Sequence, residues 1–72
     1  MTEQEKMAVL EECMELDEGT LSLTDSLSDY EEWDSLAALS LIAVVGEKCG
    51  KTIDNDDIKK LVTVKDALEI ME

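Results

Sequence analysis

Twelve consecutive residues, Ser35 to Gly46, carry no charge, although the rest of this 72-residue chain holds 19 acids and 6 lysines. Leu36, Ala37, Ala38, Leu39, Leu41, Ile42, Ala43, Val44 and Val45 follow one another almost without a break. That pattern predicts a helix over 35–49, with Gly50 as its stop. Advancing about 100° per residue places Ala38, Leu41, Ile42, Val45 and Cys49 on one side, the expected core face. Leu36, Leu39 and Ala43 fall on another side, with Ser40 and Glu47 beside them. A chain of this size cannot surround a helix completely. The second strip is therefore expected either at the surface or half covered by the preceding loop, through Leu27 or Trp33. On a protein of formal charge −13 an uncharged strip reads as a docking surface.

The same charge excludes whole classes of function. There is no arginine and no histidine, and a dense acidic surface opposes phosphate backbones and anionic membranes as partners. No apolar run has the length of a membrane span, and Met1-Thr2-Glu3-Gln4-Glu5 is unlike a cationic signal peptide. A cytoplasmic monomer is expected. Without histidine there is no Ser-His-Asp or Cys-His nucleophile and little basis for a zinc site. Cys13 and Cys49 lack metal or redox spacing; two buried reduced thiols are expected in preference to one disulfide. Hydrophobic residues make up 44% of the chain, too many for a disordered acidic tail. One domain over 1–72 is expected, a partner-binding or carrier module and not an autonomous enzyme.

Elsewhere the reading is also helical. Thr2 with Glu5 forms a capping pair, and Met7, Leu10, Cys13 and Met14 make one apolar stripe, so a helix is predicted over 2–16 with Gly19 breaking the pattern. Residues 17–34 read as a long polar loop, pinned across the core by Leu21, Leu23, Leu27, Tyr30 and Trp33. Asp54-Asn55-Asp56-Asp57 opens a short helix over 55–61. Thr63 with Asp66 caps a last one over 64–71, with Val64, Ala67, Leu68 and Met71 facing inward. Sustained two-residue alternation is absent. The fold class is all-α: three main helices, one short helix and a long loop between the first two.

Ser35 stands where the acidic loop becomes the uncharged helix. There, unpaired backbone N–H groups and the positive helix end would favour a phosphate ester. Local physics is equally served by an ordinary Asp-Ser cap, and Asp34 would either cap the helix or hold a divalent cation with a neighbouring acid.

Trp33-Asp34-Ser35-Leu36 resembles the Asp-Ser-Leu signature of acyl carrier proteins and related peptidyl carriers. The likeness covers nearly the whole chain. Thr24-Asp25-Ser26-Leu27 is similar to the family's loop segment ahead of the signature. Ile53 with the acids after it is similar to the opening of its short third helix, and Leu61-Val62-Thr63-Val64 with Ala67-Leu68 to the entry of its last. Length and acidity match too. The resemblance implies an acyl-carrier-like helical bundle with 4′-phosphopantetheine esterified to Ser35 by a phosphopantetheinyl transferase, Asp34 and Leu36 flanking the attachment. It implies a carrier that delivers acyl thioesters to transferring and condensing enzymes in fatty-acid, lipid or polyketide-type synthesis. Leu36, Leu39, Ala43 and Glu47 would form the partner surface. An aminoacyl or peptidyl cargo is the alternative within the family; an acidic interaction module that ignores Ser35 is the alternative outside it.

Asp25-Ser26-Leu27 repeats the tripeptide, but Ser28-Asp29-Tyr30-Glu31-Glu32 comes after it without the spacing of a buried helix, so Ser35 is the expected site. Some features depart from the family. Ala37, Ser40 and Gly46 are uncharged where its fatty-acid-synthesis members carry acids, only Glu47 keeps that pattern, and Glu32-Trp33 replaces the usual glycine. These departures favour a specialised carrier whose docking is less salt-sensitive, with steering left to Asp29, Glu31, Glu32 and Asp34. Trp33 is expected to anchor the loop or to border the arm and select cargo. The acids at 54–57 are expected to be solvated helix starters, since a calcium loop would need Gly at Lys59 and Glu at Lys65.

Overall fold

Side-chain caps decide where each helix begins. In the computed structural model, which describes residues 2–71, Thr2 accepts the Glu5 N–H at 3.2 Å and opens α1 (Glu3–Cys13). Asp34 accepts the Ala37 N–H at 3.0 Å and opens α2 (Ser35–Val44). Reciprocal capping boxes start the other two: Asp54 with Asp57 on α3 (Asn55–Lys59), and Thr63 with Asp66 on α4 (Val64–Glu69). Each oxygen satisfies a first-turn donor that has no acceptor inside its helix. The architecture is the expected all-α bundle, without a β-strand among the described residues. No helix among them is long and apolar enough to cross a membrane. Met1 and Glu72, the ends of the expected domain, lie outside the described residues.

The helix ends differ from expectation. α1 stops at Cys13 because Glu15 adopts a left-handed φ of 57°. The Leu16 N–H then reaches the Glu11 carbonyl at 2.8 Å and the Glu15 N–H the Glu12 carbonyl at 3.1 Å, a Schellman closure. Gly19 lies beyond an end already made. In α2, α-type hydrogen bonding gives way after Val44 to a π-helical turn, Val45–Cys49, in which the Gly50 N–H reaches back to Val45. Gly50 closes it at φ 66°, the stop the sequence indicated. α3 and α4 end early, at Lys59 and Glu69. Leu61 and Met71 instead lie in tighter turns, bonding Ile58 and Leu68 three residues back, each at 3.1 Å.

The buried edge of α2 is also rotated. Ala37, Leu41 and Val45 form its buried spine, while Ala38, Ile42 and Cys49 of the expected core face are only half-buried. α1 packs against α2, and Ala37 joins Met14 in the shared core, so the four-residue ridge from Ala37 is the one turned inward.

The long loop belongs to the core. Leu21 and Leu27 are buried, and Leu27 joins Leu10, Met14, Leu41, Val45 and Val64 among the largest fully buried side chains. Leu27 starts a single 3-10 turn (Leu27–Asp29). An isolated antiparallel bridge pairs Ser26 with Thr63; the Leu27 N–H donates to the Val62 carbonyl and the Val64 N–H to the Asp25 carbonyl, each at 2.9 Å. Buried Glu11, which the hydrophobic pattern passes over, accepts the Leu21 N–H at 3.0 Å and holds the start of the loop to α1. Both cysteines are free, but each is half-buried and not buried. The Cys49 thiol donates to the Met71 carbonyl at 3.0 Å. Burial, then the charge of Glu12, pushes the Cys13 thiol up, so it is poorly nucleophilic.

Candidate functional site

The loop delivers the chain to α2 through a fixed sequence of contacts. The Trp33 N–H bonds the Tyr30 carbonyl at 3.1 Å, and Trp33 packs half-buried against the core. Asp34 is extended and exposed, with its carboxylate spent on the Ala37 N–H and its carbonyl on the Ala38 N–H, at 3.0 Å each. Of the two roles open to Asp34, the cap is therefore the one made. Ser35 occupies the first turn and is exposed. The Ser35 and Leu36 N–H groups belong to the first-turn set that has no acceptor within the helix, and the axial dipole leaves that end partly positive. An exposed hydroxyl in such a field suits a phosphodiester linkage.

Beside Ser35 lies an open cleft of about 680 Å³ between α2 and α3. Trp33, Ala38, Leu39, Ile58 and Leu61 form its apolar wall, and Asp34, Ser35, Asn55 and Lys59 its polar rim. Trp33 thus both anchors the loop and borders the cleft. The contribution of α3 was invisible in the sequence beyond the three-residue spacing of Ile58 and Leu61, and nothing there marked Lys59 or Asn55.

Along the outer side of α2, Leu36, Leu39, Ala43 and Glu47 are all exposed, Leu36 at 74% and Leu39 at 58%. Leu27 does not cover this strip, being drawn into the core. Val62, 61% exposed at the entry to α4, is a further surface hydrophobe that the pattern did not single out. Ala37, one of the three positions uncharged where the fatty-acid-synthesis carriers have acids, is buried, so its lack of charge reflects packing and not partner choice. Asp29, Glu31 and Glu32 are exposed on the approach to Ser35.

The second tripeptide makes no comparable site. The Asp25 carboxylate accepts the Tyr30 hydroxyl at 2.6 Å and the Ser22 N–H at 2.9 Å, which together hold it below its usual range. Ser26 is half-buried in the bridge to Thr63. The acids at 54–57 start α3 through their capping box, and among the described residues no group of three or more candidate ligands is placed to hold a metal ion.

The phosphopantetheine attachment site family matches residues 7–70. An acyl carrier protein of Beutenbergia cavernae is 34% identical over 71 residues, covering 93% of this chain and 87% of the relative. No solved structure matches the chain. An exposed serine, a dipole that favours a phosphate and an apolar-walled cleft beside them fit the group that this family bears. The chain belongs to the acyl carrier protein family, carriers and not enzymes, which bear covalently attached 4′-phosphopantetheine.

Proposed function

We propose that Ser35 is the attachment residue and that the chain, as a single domain over 1–72, carries acyl groups between enzymes of a specialised biosynthetic route. The observation that carries this reading is the exposure of Ser35 on the first turn of α2, where it lines the cleft. When bound, the prosthetic group supplies a terminal thiol that holds an acyl group as a thioester. The residues of this chain do the rest. Asp34 fixes the helix start, the core beneath Ala37 and Leu41 gives the hydroxyl a firm base, and the free N–H groups at 35 and 36 stabilise the negative charge of the linkage.

Docking falls to Leu36, Leu39, Ala43 and Glu47, which present an apolar strip with one acid to the transferase and to acyl-transferring and condensing enzymes. With Ser40 and Gly46 uncharged and exposed, added salt should weaken docking only modestly, and what loss there is should follow Asp29, Glu31, Glu32 and Asp34. A charge of −13 supports a cytoplasmic monomer kept apart from anionic membrane surfaces.

Intact mass after incubation with coenzyme A, magnesium and a broad-specificity phosphopantetheinyl transferase tests the assignment. The wild-type chain and Ser26→Ala should each gain one phosphopantetheine, and Ser35→Ala none. Uptake by Ser35→Ala, or a wild-type chain that takes up nothing while unfolding cooperatively, overturns it.

A further inference from the structure

α2 does not run out as an α-helix. Across Val45–Cys49 the ladder is π-type, with the Gly50 N–H on the Val45 carbonyl five residues back, where an α register would put it on Gly46. The Lys51 N–H reaches the same Val45 carbonyl at 3.4 Å. A π turn is rare, and its place here calls for a contact that only this register makes. Gly46, Glu47 and Lys48 are all exposed, so no buried side chain inside the turn chooses between the registers. The two ends do. Val45 is fully buried and anchors the start. At the other end the Cys49 thiol donates to the Met71 carbonyl at 3.0 Å. That acceptor is held still, since the Met71 side chain is buried and its N–H bonds the Leu68 carbonyl at 3.1 Å.

We infer that the contact between the Cys49 thiol and the Met71 carbonyl is a latch that holds the end of α2 in its π register and so sets the position of Glu47. Return to an α register would turn Cys49 by up to about 100°, one residue's rotation, and take its thiol off the carbonyl. The bond and the π turn therefore support each other, and loss of one releases the other. The same rotation would move Glu47, the one acid of the α2 docking strip, relative to Leu39 and Ala43. In the latched register Glu47 and Lys48 line the groove beside α1 together with Cys13, Ser40 and Val44. The end of α4 thus controls where the strip carries its charge. This last step rests on the docking role proposed for Glu47; the latch itself does not.

Through-hydrogen-bond scalar couplings in the isotope-labelled apo chain identify the acceptor of the Gly50 N–H. It should be Val45 in the wild type and in Cys49→Ser, which keeps a donor. Cys49→Ala should lose most of that coupling and gain one to Gly46, and Cys49→Val, which fills the space without a donor, should do the same. Cys13→Ala, which removes the other thiol, should match wild type. A Val45 coupling that survives Cys49→Ala and Cys49→Val, or a wild-type coupling to Gly46, overturns the latch. Steady-state arm attachment by the transferase then reads Glu47. Cys49→Ala and Glu47→Gln should each raise KM about two- to fivefold at unchanged kcat, the size of an exposed charge contact, and the double variant no more than either alone. Additive rises overturn the tie to docking. A chain that takes up no arm overturns the attachment reading and that tie with it, while the couplings still decide the latch.

Discussion

Asp25-Ser26-Leu27 and Asp34-Ser35-Leu36 are the same three residues nine positions apart, and the fold uses them in opposite ways. In the first, the carboxylate is bound by Tyr30 and Ser22, the serine sits in a bridge to Thr63, and the leucine is 1% exposed. In the second, the carboxylate caps a helix, the serine is exposed, and the leucine is 74% exposed. The residues immediately C-terminal to each tripeptide make the difference. Ser28-Asp29-Tyr30 permits only one 3-10 turn, so the chain must turn Leu27 inward to bury anything. Ala37-Ala38-Leu39 begins a helix whose core contacts come from Ala37, Leu41 and Val45, which frees Leu36 to face water. A motif is thus an outward-facing site only when the next stretch of chain supplies the burial.

The sharpest way to break this contrast is to truncate both leucines. Leu27→Ala should lower stability by about 2–5 kcal/mol in urea unfolding, because a fully buried side chain leaves a cavity in the core. Leu36→Ala should change stability by less than about 0.5 kcal/mol, as an exposed position does, while slowing modification by the transferase. Equal losses of stability would mean that the two tripeptides are not divided into core and surface.

Part of this division was legible in the sequence. Caps are local, so Thr2 and Thr63 could be placed from residue type and spacing alone, whereas Asp34 stayed open between cap and cation ligand, and Ser35 was singled out by the family resemblance and not by its local pattern. The inward turn of Leu27 was only partly legible, since it depends on the entry to α4, a stretch far along the chain whose carbonyl at Val62 receives the Leu27 N–H. Glu15 hid the end of α1, because a left-handed closure is sought at glycine and here falls on a glutamate. The buried edge of α2 could not be fixed from its own residues: when a helix is apolar all round, its neighbours choose the face. For the same reason the cleft wall from α3 was out of reach, being a meeting of two helices that no local pattern encodes.

The two aspartates give the next, smaller contrast. Asp34→Ala should cost about 1 kcal/mol of stability, the usual loss for an N-cap, and should also slow attachment by loosening the turn that holds Ser35. Asp34→Ser retains a capping oxygen without the charge. It should recover most of the stability, and thermal unfolding alongside the attachment rate then separates cap from charge. If Asp34→Ser is as unstable as Asp34→Ala, the carboxylate does more than accept the Ala37 N–H.

The smallest effect is the most diagnostic of the inward tripeptide. The Tyr30 hydroxyl first, then the Ser22 N–H, holds the Asp25 carboxyl below the usual 3.8, with slight burial opposing. Its stabilising contribution is therefore complete above the unfolded value and lost as pH falls through the lower folded value. The same hydrogen bond raises the Tyr30 hydroxyl above 10.0, with burial and the charges of Asp25, Asp29 and Glu32 adding to it. That contribution is complete below the unfolded value and lost as pH rises through the folded one. Tyr30→Phe keeps the ring and removes the bond, so the stability gap between wild type and variant should form a plateau across neutral pH. The gap should close below about pH 4 and again above about pH 10, which urea midpoints taken across the range will show. Asp66, also held low but by the Thr63 and Val62 N–H groups, is untouched by the substitution, so its acid loss is common to both proteins and cancels from the gap. No gap at neutral pH would assign Tyr30 to packing alone, since phenylalanine keeps the ring, and a gap that stays constant into acid would mean that the hydroxyl acts on something other than the charged Asp25 carboxylate.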